Sequence, residues 1–588
     1  MSSLLGFYGC FLLFFSIPIT EGAAPSLAWH SPSSSPLAPS FFRSKSVVSH
    51  TTRIRKTFLT VRGGSDNAND ENNIVQQPLG PVAELPEQWH SGRPKQGLIL
   101  MDAFCPYFGL YMANRAKKVY GVAVIVMLSE YMKGYFAHEQ PEDWRQYLPM
   151  AIPIDIKAWK GRLPCEEIIA VHVESDSGLK DGEQLALALN ATCQNGINDA
   201  RRDKFLMNQV MGSHGLPVAR QKLCRTLNET LEFATELFNA CTEEVLTLNR
   251  NENNDKMDTG LLGRGTNIPE QNNLQWCIVK PTRGVASENV HLCNDLESVQ
   301  KAFEEIQGSS VFGAWEYHQS VLVQEFLAGT EYAVDIVSKN GEHKVAALWR
   351  YDKRPANGAP FCYYATELID ATQSQVGARI CDYAKKSLDA LNVKWGLSHT
   401  EIIMTANGPK LVEVNCRQHN MDFAPLTMAC IGYNAFDMLL AAYLGGHPDH
   451  TYPPGTENER LDWDSLPDIP SLRAYGAMVH LVNSVEGVLS QVNMQHLNEI
   501  HNMESVLELE VYEEFLASGS YIRPTTDIRT DCGWAQLVND DAEVFVRDYN
   551  RIVDLMPQLF EVERSAEAEI SSSQQQPKEQ NAADSAVQ

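Results

Sequence analysis

Between Gln96 and Val173 short runs of apolar residues alternate with mixed stretches. Gly97-Leu-Ile-Leu-Met-Asp102, Val122 to Leu128 and Ile168-Ile-Ala-Val-His-Val173 read as buried strands, and Gly109 to Lys118 reads as a helix. That order predicts an open parallel sheet at the start of the fold. Asp199 to Met211 predicts a helix with Phe205, Met207, Val210 and Met211 inward, ended by Gly212 and Gly215 with Pro217 beyond. Trp276 to Pro281 reads as a strand ending at Lys280, followed by the turn Thr282 to Asn289 and a second strand at Val290. Val321 to Asp335 reads as two strands around a short connector, and Ala347 to Arg354 as a strand end. Residues 243–273 are Asn-rich and polar, which predicts an inserted surface loop. Beyond Tyr452-Pro-Pro454, Leu472 to Val562 reads as a small α+β unit. Its strands are Ala474 to Val482, Gly487 to Val492, and a further pair, Gly533 to Leu537 with Glu543 to Val546.

The chemistry concentrates in a hairpin from His399 to Arg417. Glu413 and Asn415 are two apart, so their side chains share one strand face. A two-residue Asn407-Gly408 turn would pair Ala406 with Pro409, which has no N–H to offer. A three-residue Ala406-Asn407-Gly408 loop with Gly408 left-handed avoids this and sets Glu401 directly opposite Glu413. Two carboxylates there repel unless a cation lies between them. Two Glu oxygens and an Asn amide suit Mg²⁺ that also holds phosphate; the bland alternative is the solvated face of an ordinary hairpin. Lys280, at a strand end beside a small-residue turn, lets an ammonium and backbone N–H groups converge on phosphate oxygens. The loop Ala103 to Phe108 lacks the glycine spacing of a dinucleotide fingerprint.

Taken in order, these motifs resemble those of the ATP-grasp carboxylate-amine ligases, the group that includes the L-amino acid (dipeptide) ligases. The resemblance runs over about residues 97–555 and is strongest from Lys204 to Arg417. It implies an α/β and α+β multidomain chain with an ATP-grasp fold. An N-terminal open parallel-sheet domain would span 96–195, and two ATP-grasp lobes 196–327 (with the 243–273 insertion) and 328–446. A small C-terminal α+β domain would span 447–563. By the same resemblance Lys204 reaches the α-phosphate of ATP, while Lys280 and Ser287 belong to the phosphate-binding strand end and its flap. Gln324, Glu325, Phe326 and Leu327 lie along adenine, and Glu331 meets the ribose hydroxyls. The basic strand end with Arg350 and Lys353 reads two ways: one of the pair steadies the γ-phosphate, or both simply face solvent. Glu401, Glu413 and Asn415 carry Mg²⁺ (or Mn²⁺), two ions in all, and Arg417 clamps the substrate carboxylate and then the acyl phosphate. The implied reaction activates a small carboxylate with ATP, and an amine then displaces phosphate to give an amide or peptide bond and ADP. The chain departs from the family in three places. The flap keeps only Gly284, Gln324 stands where a carboxylate is usual, and Gln418-His419-Asn420 replaces the frequent glycines. Two other functions stay open: an ATP-grasp enzyme with another phosphoryl acceptor, such as bicarbonate or a purine intermediate, and an ATP-binding protein without catalysis.

Composition narrows the partners. The 588 residues are 44% hydrophobic and 21% charged, ample for globular cores, and the formal charge is −26. So acidic a chain is a poor binder of nucleic acid or anionic lipid, though a local basic pocket for phosphates stays open; the resemblance implies small-molecule carboxylate and amine partners, with monomer and homodimer both open. Thirteen cysteines are scattered without a Cys-x-x-Cys pair, which predicts reduced thiols rather than zinc ligands or a disulfide framework. Leu4 to Ile19 resembles a secretory h-region within a 1–22 signal peptide, and 23–65 is Ser/Pro-rich and basic, as in transit peptides. Together they resemble the bipartite presequences of complex plastids, so plastid import of a mature form without a membrane span is expected. The secretory pathway, with formal sequons at Asn190 and Asn228, is the alternative. Residues 66–95 read as a linker and 564–588 as a tail too poor in apolar residues to fold.

Overall fold

The computed structural model describes residues 95–563, apart from 104–108, 110, 136–164, 252–259, 263–275, 285–287, 312, 315, 420–422 and 446–451. The targeting segments, nearly all of the linker, Ser287 and the 564–588 tail therefore lie outside the described residues. No helix among the described residues is long and apolar enough to cross a membrane. None of the described cysteines forms a disulfide.

The predicted parallel sheet is present: β1 (Gln96–Met101) runs parallel to both β2 (Ala123–Met127) and β3 (Glu167–Val173) in the order β2-β1-β3. Successive β1 side chains point to opposite faces, and both faces are covered. Leu98 and Leu100 pack with Met112, Ala116 and Leu440, while Ile99 and Met101 pack with Ile125, Leu179 and Leu185.

A second sheet is antiparallel, with β4 (Gln221–Cys224), β5 (Cys277–Lys280), β6 (His291–Cys293) and β7 (Val321–Glu325) in the order β4-β7-β5-β6. The helix Leu296–Ile306, capped at both backbone and side chain by Asp295 and Ser298, buries Val299, Ala302 and Ile306 against Val279, Val321 and Val323. The helix expected from Asp199 starts later. Asp199–Arg201 is a single 3₁₀ turn, and Asp203 caps a new helix, Lys204–Ser213, by accepting from the N–H groups of Phe205 and Leu206. Lys204 is thus a first-turn residue, not a mid-helix one.

The third sheet has eight strands. These are β8 (Thr330–Lys339), β9 (Glu342–Ala356), β10 (Ala359–Leu368), β11 (Gly396–Thr405), β12 (Gly408–Asn415), β13 (Tyr475–His480), β15 (Val506–Val511) and β17 (Gly533–Asn539). Their order, β12-β11-β8-β9-β10-β13-β17-β15, carries the C-terminal segment onto the same sheet, so the sheet does not stop near 446. A small sheet of β14 (Gly487–Val492), β16 (Tyr521–Ile522) and β18 (Phe560–Val562) packs beyond it. Glu543 to Val546 is not a strand. Asp541 caps a helix, Ala542–Leu555, that buries Phe545, Tyr549 and Ile552 at helical spacing.

The insertion also differs from its prediction. The helix beginning at Leu227 continues to Asn251, well past 243. The segment then returns at Gly260–Leu262 to lie on β9 and β10. Leu262 is fully buried, Glu367 accepts from the N–H groups of Leu261 and Leu262, and Arg350 donates to the Leu262 carbonyl and to Glu367 at 2.5 Å. A polar sequence therefore hides one apolar anchor held by a buried ion pair. Removing one partner of such a pair leaves the other charge stranded, at a cost of about 3 kcal/mol or more. Glu367→Ala is accordingly expected to lower the urea midpoint clearly, read by circular dichroism, whereas Leu261→Ser, at an exposed side chain, leaves it nearly unchanged.

Candidate active site

The hairpin β11–β12 delivers the predicted carboxylate pair by a different turn. Thr405 pairs with Gly408 around the two-residue loop Ala406-Asn407, with Gly408 at φ 107°, where a side chain would be strained. Thr405 Oγ accepts from the Asn407 N–H and donates to the Gly408 carbonyl. A one-residue bulge at Val412 then shifts the register, and Glu401 ends directly opposite Glu413 as expected. Cross-strand partners form two rows over three strands: Asp335, His399 and Asn415 in one, Ala333, Glu401 and Glu413 in the next.

The cation that two facing carboxylates require is supplied in part by Lys204, whose Nζ lies 2.5 Å from Glu413 and also donates to the Gly284 carbonyl at 3.1 Å. Burial disfavours the Lys204 charge, but Glu413 outweighs it and the pKa is raised. Asn415 donates to the other oxygen of Glu413 at 3.0 Å. Glu401 accepts at Oε1 from His399 at 3.2 Å and from Tyr351 at 3.4 Å. Against the cost of burial, the His399 bond holds the Glu401 carboxyl well below the usual range. Two facing carboxylates and an adjacent amide form an all-oxygen donor set, which fits a hard divalent cation.

Two clefts meet here. One is lined by Lys280, Gln324, Glu325, Phe326, Leu327, Glu331, Lys353 and Glu401; the other by Asp176, Asp181, Arg202, Arg283 and Asn415. Lys204, Gly284 and Glu413 line both and form the shared wall. In the first cleft the connector after β7 passes so close to β11 that a Cβ on Gly329 would strike the Met404 carbonyl oxygen. The Glu325 N–H is committed to the Arg220 carbonyl and its carboxylate to Arg220 and Lys410. Gln221 donates to the Phe205 carbonyl and accepts from Gln324 Nε2, which orients the Gln324 amide. Glu331 is paired with Lys353 at 2.8 Å, and Lys353 lies over the rings of Tyr351 and Tyr363. Arg350, the other candidate for the γ-phosphate, is excluded: it is buried against Glu367 and Leu262.

Lys280 closes the base of the first cleft. Burial, and then the neighbouring Lys204 ammonium, pull its pKa down to about 8. Since the unfolded chain holds this proton up to the ordinary lysine range, the free protein gains stability as pH rises from about 8 toward that range. Phosphates bound beside Lys280, where its sequence motif would put them, would restore its charge, and nucleotide binding at pH 9 is then expected to take up about one proton, and at pH 7 almost none. Calorimetry in buffers of different ionisation enthalpy reads this directly. In Lys280→Arg the uptake disappears at both pH values, because a guanidinium stays charged.

Arg417 is buried and lines neither cleft, but it lies behind the wall of the second, where it meets a partner that sequence reasoning missed, the cleft residue Asp176. Its Nε and Nη2 form a bidentate pair with Asp176, both at 2.8 Å, and Nη1 donates to the Gln418 carbonyl. Asp176 is placed by the end of the parallel sheet. The Asp102 carboxylate accepts from the Ser129 N–H and from Ser175 Oγ, and Ser175 caps the turn Asp176–Gly178. Also unread were Asp335 and His399, which lie behind Glu401, and His419, which stacks on His399. Among the described residues, Asp335, His399 and His419 are the His/Cys/Asp/Glu group close enough to share an ion. Their signal in the sequence is the His-Thr-Glu spacing of 399–401.

A model of the ATP-grasp domain matches residues 275–423. The L-amino acid ligase from Bacillus licheniformis superposes with a TM-score of 0.54 at 15% identity, over 81% of this chain and 100% of that one. The chain has the ATP-grasp fold. A carboxyaminoimidazole ribonucleotide synthase from Aspergillus clavatus, crystallised with ATP, shares this ATP-grasp fold at a TM-score of 0.51 and 12% identity, over 80% of this chain and all of that one. In sequence the chain is 26% identical to dapdiamide A synthase of Enterobacter agglomerans over 276 residues, 47% of this chain. It is 24% identical to human carnosine synthase 1 over 210 residues, 35% of this chain. The alignments span 55% of the first relative and 23% of the second. These relatives bear out the resemblance to ATP-grasp carboxylate-amine ligases. The matched ATP-grasp segment contains Lys280, the connector after β7 and the Glu401/Glu413 hairpin, whereas Lys204 and Asp176 lie before it.

Proposed function

We propose that the chain is an ADP-forming ligase that joins a small carboxylate, of the amino acid class, to an amine through an acyl phosphate. The observation that carries this reading is the shared wall of the two clefts. Glu413 and Lys204 face the nucleotide side and the substrate side at once, so a γ-phosphate bound on one side can meet an acceptor oxygen on the other. Lys204 and Lys280 neutralise phosphate charge, and Lys353 approaches from β9. Phosphoryl transfer asks little more of a protein than such positioning and charge neutralisation. Glu401, Glu413 and Asn415 would hold two Mg²⁺ ions, which polarise phosphate oxygens and shield their charge when bound. Arg417 offers a planar fork that suits a carboxylate and then its acyl phosphate. The amine enters on the Asp176 side and displaces phosphate.

The full chain with Mg²⁺-ATP and a panel of amino acids and small carboxylates, singly and in pairs, tests the reading by ADP release and product mass. ADP release that requires a pair, together with a condensed product, is the expected outcome. Tight ATP binding with no acid consumed would remove the ligase assignment, and ADP release with bicarbonate alone would replace it by a carboxylating one. Plastid import remains part of the proposal, and finding the chain outside isolated plastids removes it.

A further inference from the structure

We propose that His399, braced by Asp335, is the positioning residue that sets the Glu401 carboxylate in place for the divalent cation. The inference rests on the metal reading of Glu401 and Glu413 and adds a residue to it.

A glutamate in mid-strand can rotate about its own side-chain bonds, and a metal ligand that rotates loses affinity. Ligating groups are therefore commonly held from behind. Glu401 is held in this way. His399 reaches Glu401 Oε1 through Nε2 at 3.2 Å and Asp335 Oδ1 through Nδ1 at 3.1 Å. Tyr351 adds a second hydroxyl bond to the same Oε1. Both bonds to Glu401 end on one oxygen, which fixes the plane of the carboxylate while the residue lines the nucleotide cleft.

The brace is itself immobilised. His399 and Asp335 are cross-strand partners on β11 and β8, so their separation is set by the sheet. Asp335 Oδ2 accepts from the Trp349 indole N–H at 2.6 Å. The His419 ring stacks on His399 with centroids 3.9 Å apart and planes 29° from parallel, and its Nε2 lies 3.1 Å from the Tyr351 hydroxyl. Asp335, His399 and His419 could be taken for an ion cage of their own. Both imidazoles, however, turn Nδ1 toward the Asp335 carboxylate, His399 to Oδ1 at 3.1 Å and His419 to Oδ2 at 3.5 Å, and the indole also donates to Oδ2, so these groups are committed to one another. The group is a hydrogen-bonded brace that meets Glu401 through His399 Nε2.

Two substitutions separate the ends of the imidazole. Asn carries an amide N–H near the position of Nδ1, so His399→Asn keeps the Asp335 bond and loses the Glu401 bond. Gln reaches toward Nε2, so His399→Gln keeps the Glu401 bond and loses the Asp335 bond. Mn²⁺ is titrated onto the full chain with a non-hydrolysable ATP analogue and followed by the free-Mn²⁺ resonance, with a thermal melt of each variant. The expected result is Mn²⁺ affinity about tenfold or more weaker in His399→Asn and within about threefold of the parent in His399→Gln. Parent-like binding by His399→Asn overturns the inference alone, as does an equal loss in both variants, which would mark a packing role. A parent chain that binds no Mn²⁺ overturns the metal reading and this inference with it.

Discussion

Glu413→Gln is expected to reduce substrate-dependent ADP release at least about a hundredfold, with no recovery at saturating Mg²⁺, while the melting curve stays close to that of the parent. Glu413 does three things at once. It faces Glu401 across the hairpin, pairs with Lys204 at 2.5 Å, and accepts from Asn415. The amide keeps the size of the side chain, its oxygen can still accept from Lys204, and its NH2 can donate to the Asn415 amide oxygen once that amide turns over, so the hairpin stands. What it loses is the charge that, on the proposed reading, balances a divalent cation between the two clefts. A metal ion at a transferring phosphoryl group contributes several kcal/mol of transition-state stabilisation, and each 1.36 kcal/mol is about tenfold in rate. On the proposed reading nucleotide binding also rests on Lys204 and Lys280, so it should suffer less than turnover. The split between the two, read by analogue binding and by ADP release, separates this role from simple loss of fold. Near-normal product formation at high Mg²⁺ would remove Glu413 from the metal site.

The opposition of Glu401 and Glu413 was legible because alternation along two adjacent strands decides it, although the turn that sets it was not the expected one. The bulge at Val412 compensates for a loop one residue shorter than predicted, so face and partner survive an error in register near the tip. Lys204 and Lys280 were legible as candidates through their neighbours: one stands in an amphipathic helix, the other ends an apolar run. Asp335 and His399 could not be paired from the text. Their row depends on β11 lying against β8, with β9 and β10 on the far side of β8, and no local pattern states that order. The same limit hid Asp176, which is 241 positions from Arg417 and reaches it only through the loop ends of the parallel sheet. Leu262 was hidden by its surroundings. One apolar anchor inside an Asn-rich stretch gives no periodicity, yet it is fully buried where Glu367 and Arg350 await it. Glu543 to Val546 erred in the other direction, since alternation over four residues fits a strand until the longer 3.6-residue spacing of Phe545, Tyr549 and Ile552 is counted.

The Arg417–Asp176 pair gives the substrate side its own pair of tests, with opposite signs. Arg417→Lys should raise the KM of the acid substrate and lower turnover about a hundredfold, leaving nucleotide affinity within about twofold, because an ammonium cannot replace a two-pronged planar donor. Asp176→Asn should lower the KM of the acid. In the free protein the Asp176 carboxylate already occupies the Nε and Nη2 prongs that a substrate carboxylate would need, both at 2.8 Å. A substrate must therefore displace it, and the displaced group is a charge that has lost its partner. Asp176 is about one-fifth exposed, so water screens part of that cost, and a gain of about threefold to tenfold is expected on neutralising it. The amide keeps the Ser175-capped turn in place, because the cap is made by Ser175 and the Gly178 N–H rather than by the Asp176 side chain. Steady-state kinetics on the acid at saturating ATP and amine reads both effects. A higher KM in Asp176→Asn would mean that the carboxylate belongs to the substrate's own site, holding its ammonium while Arg417 holds its carboxylate. In that case the amino acid class of the substrate would follow from the pair itself.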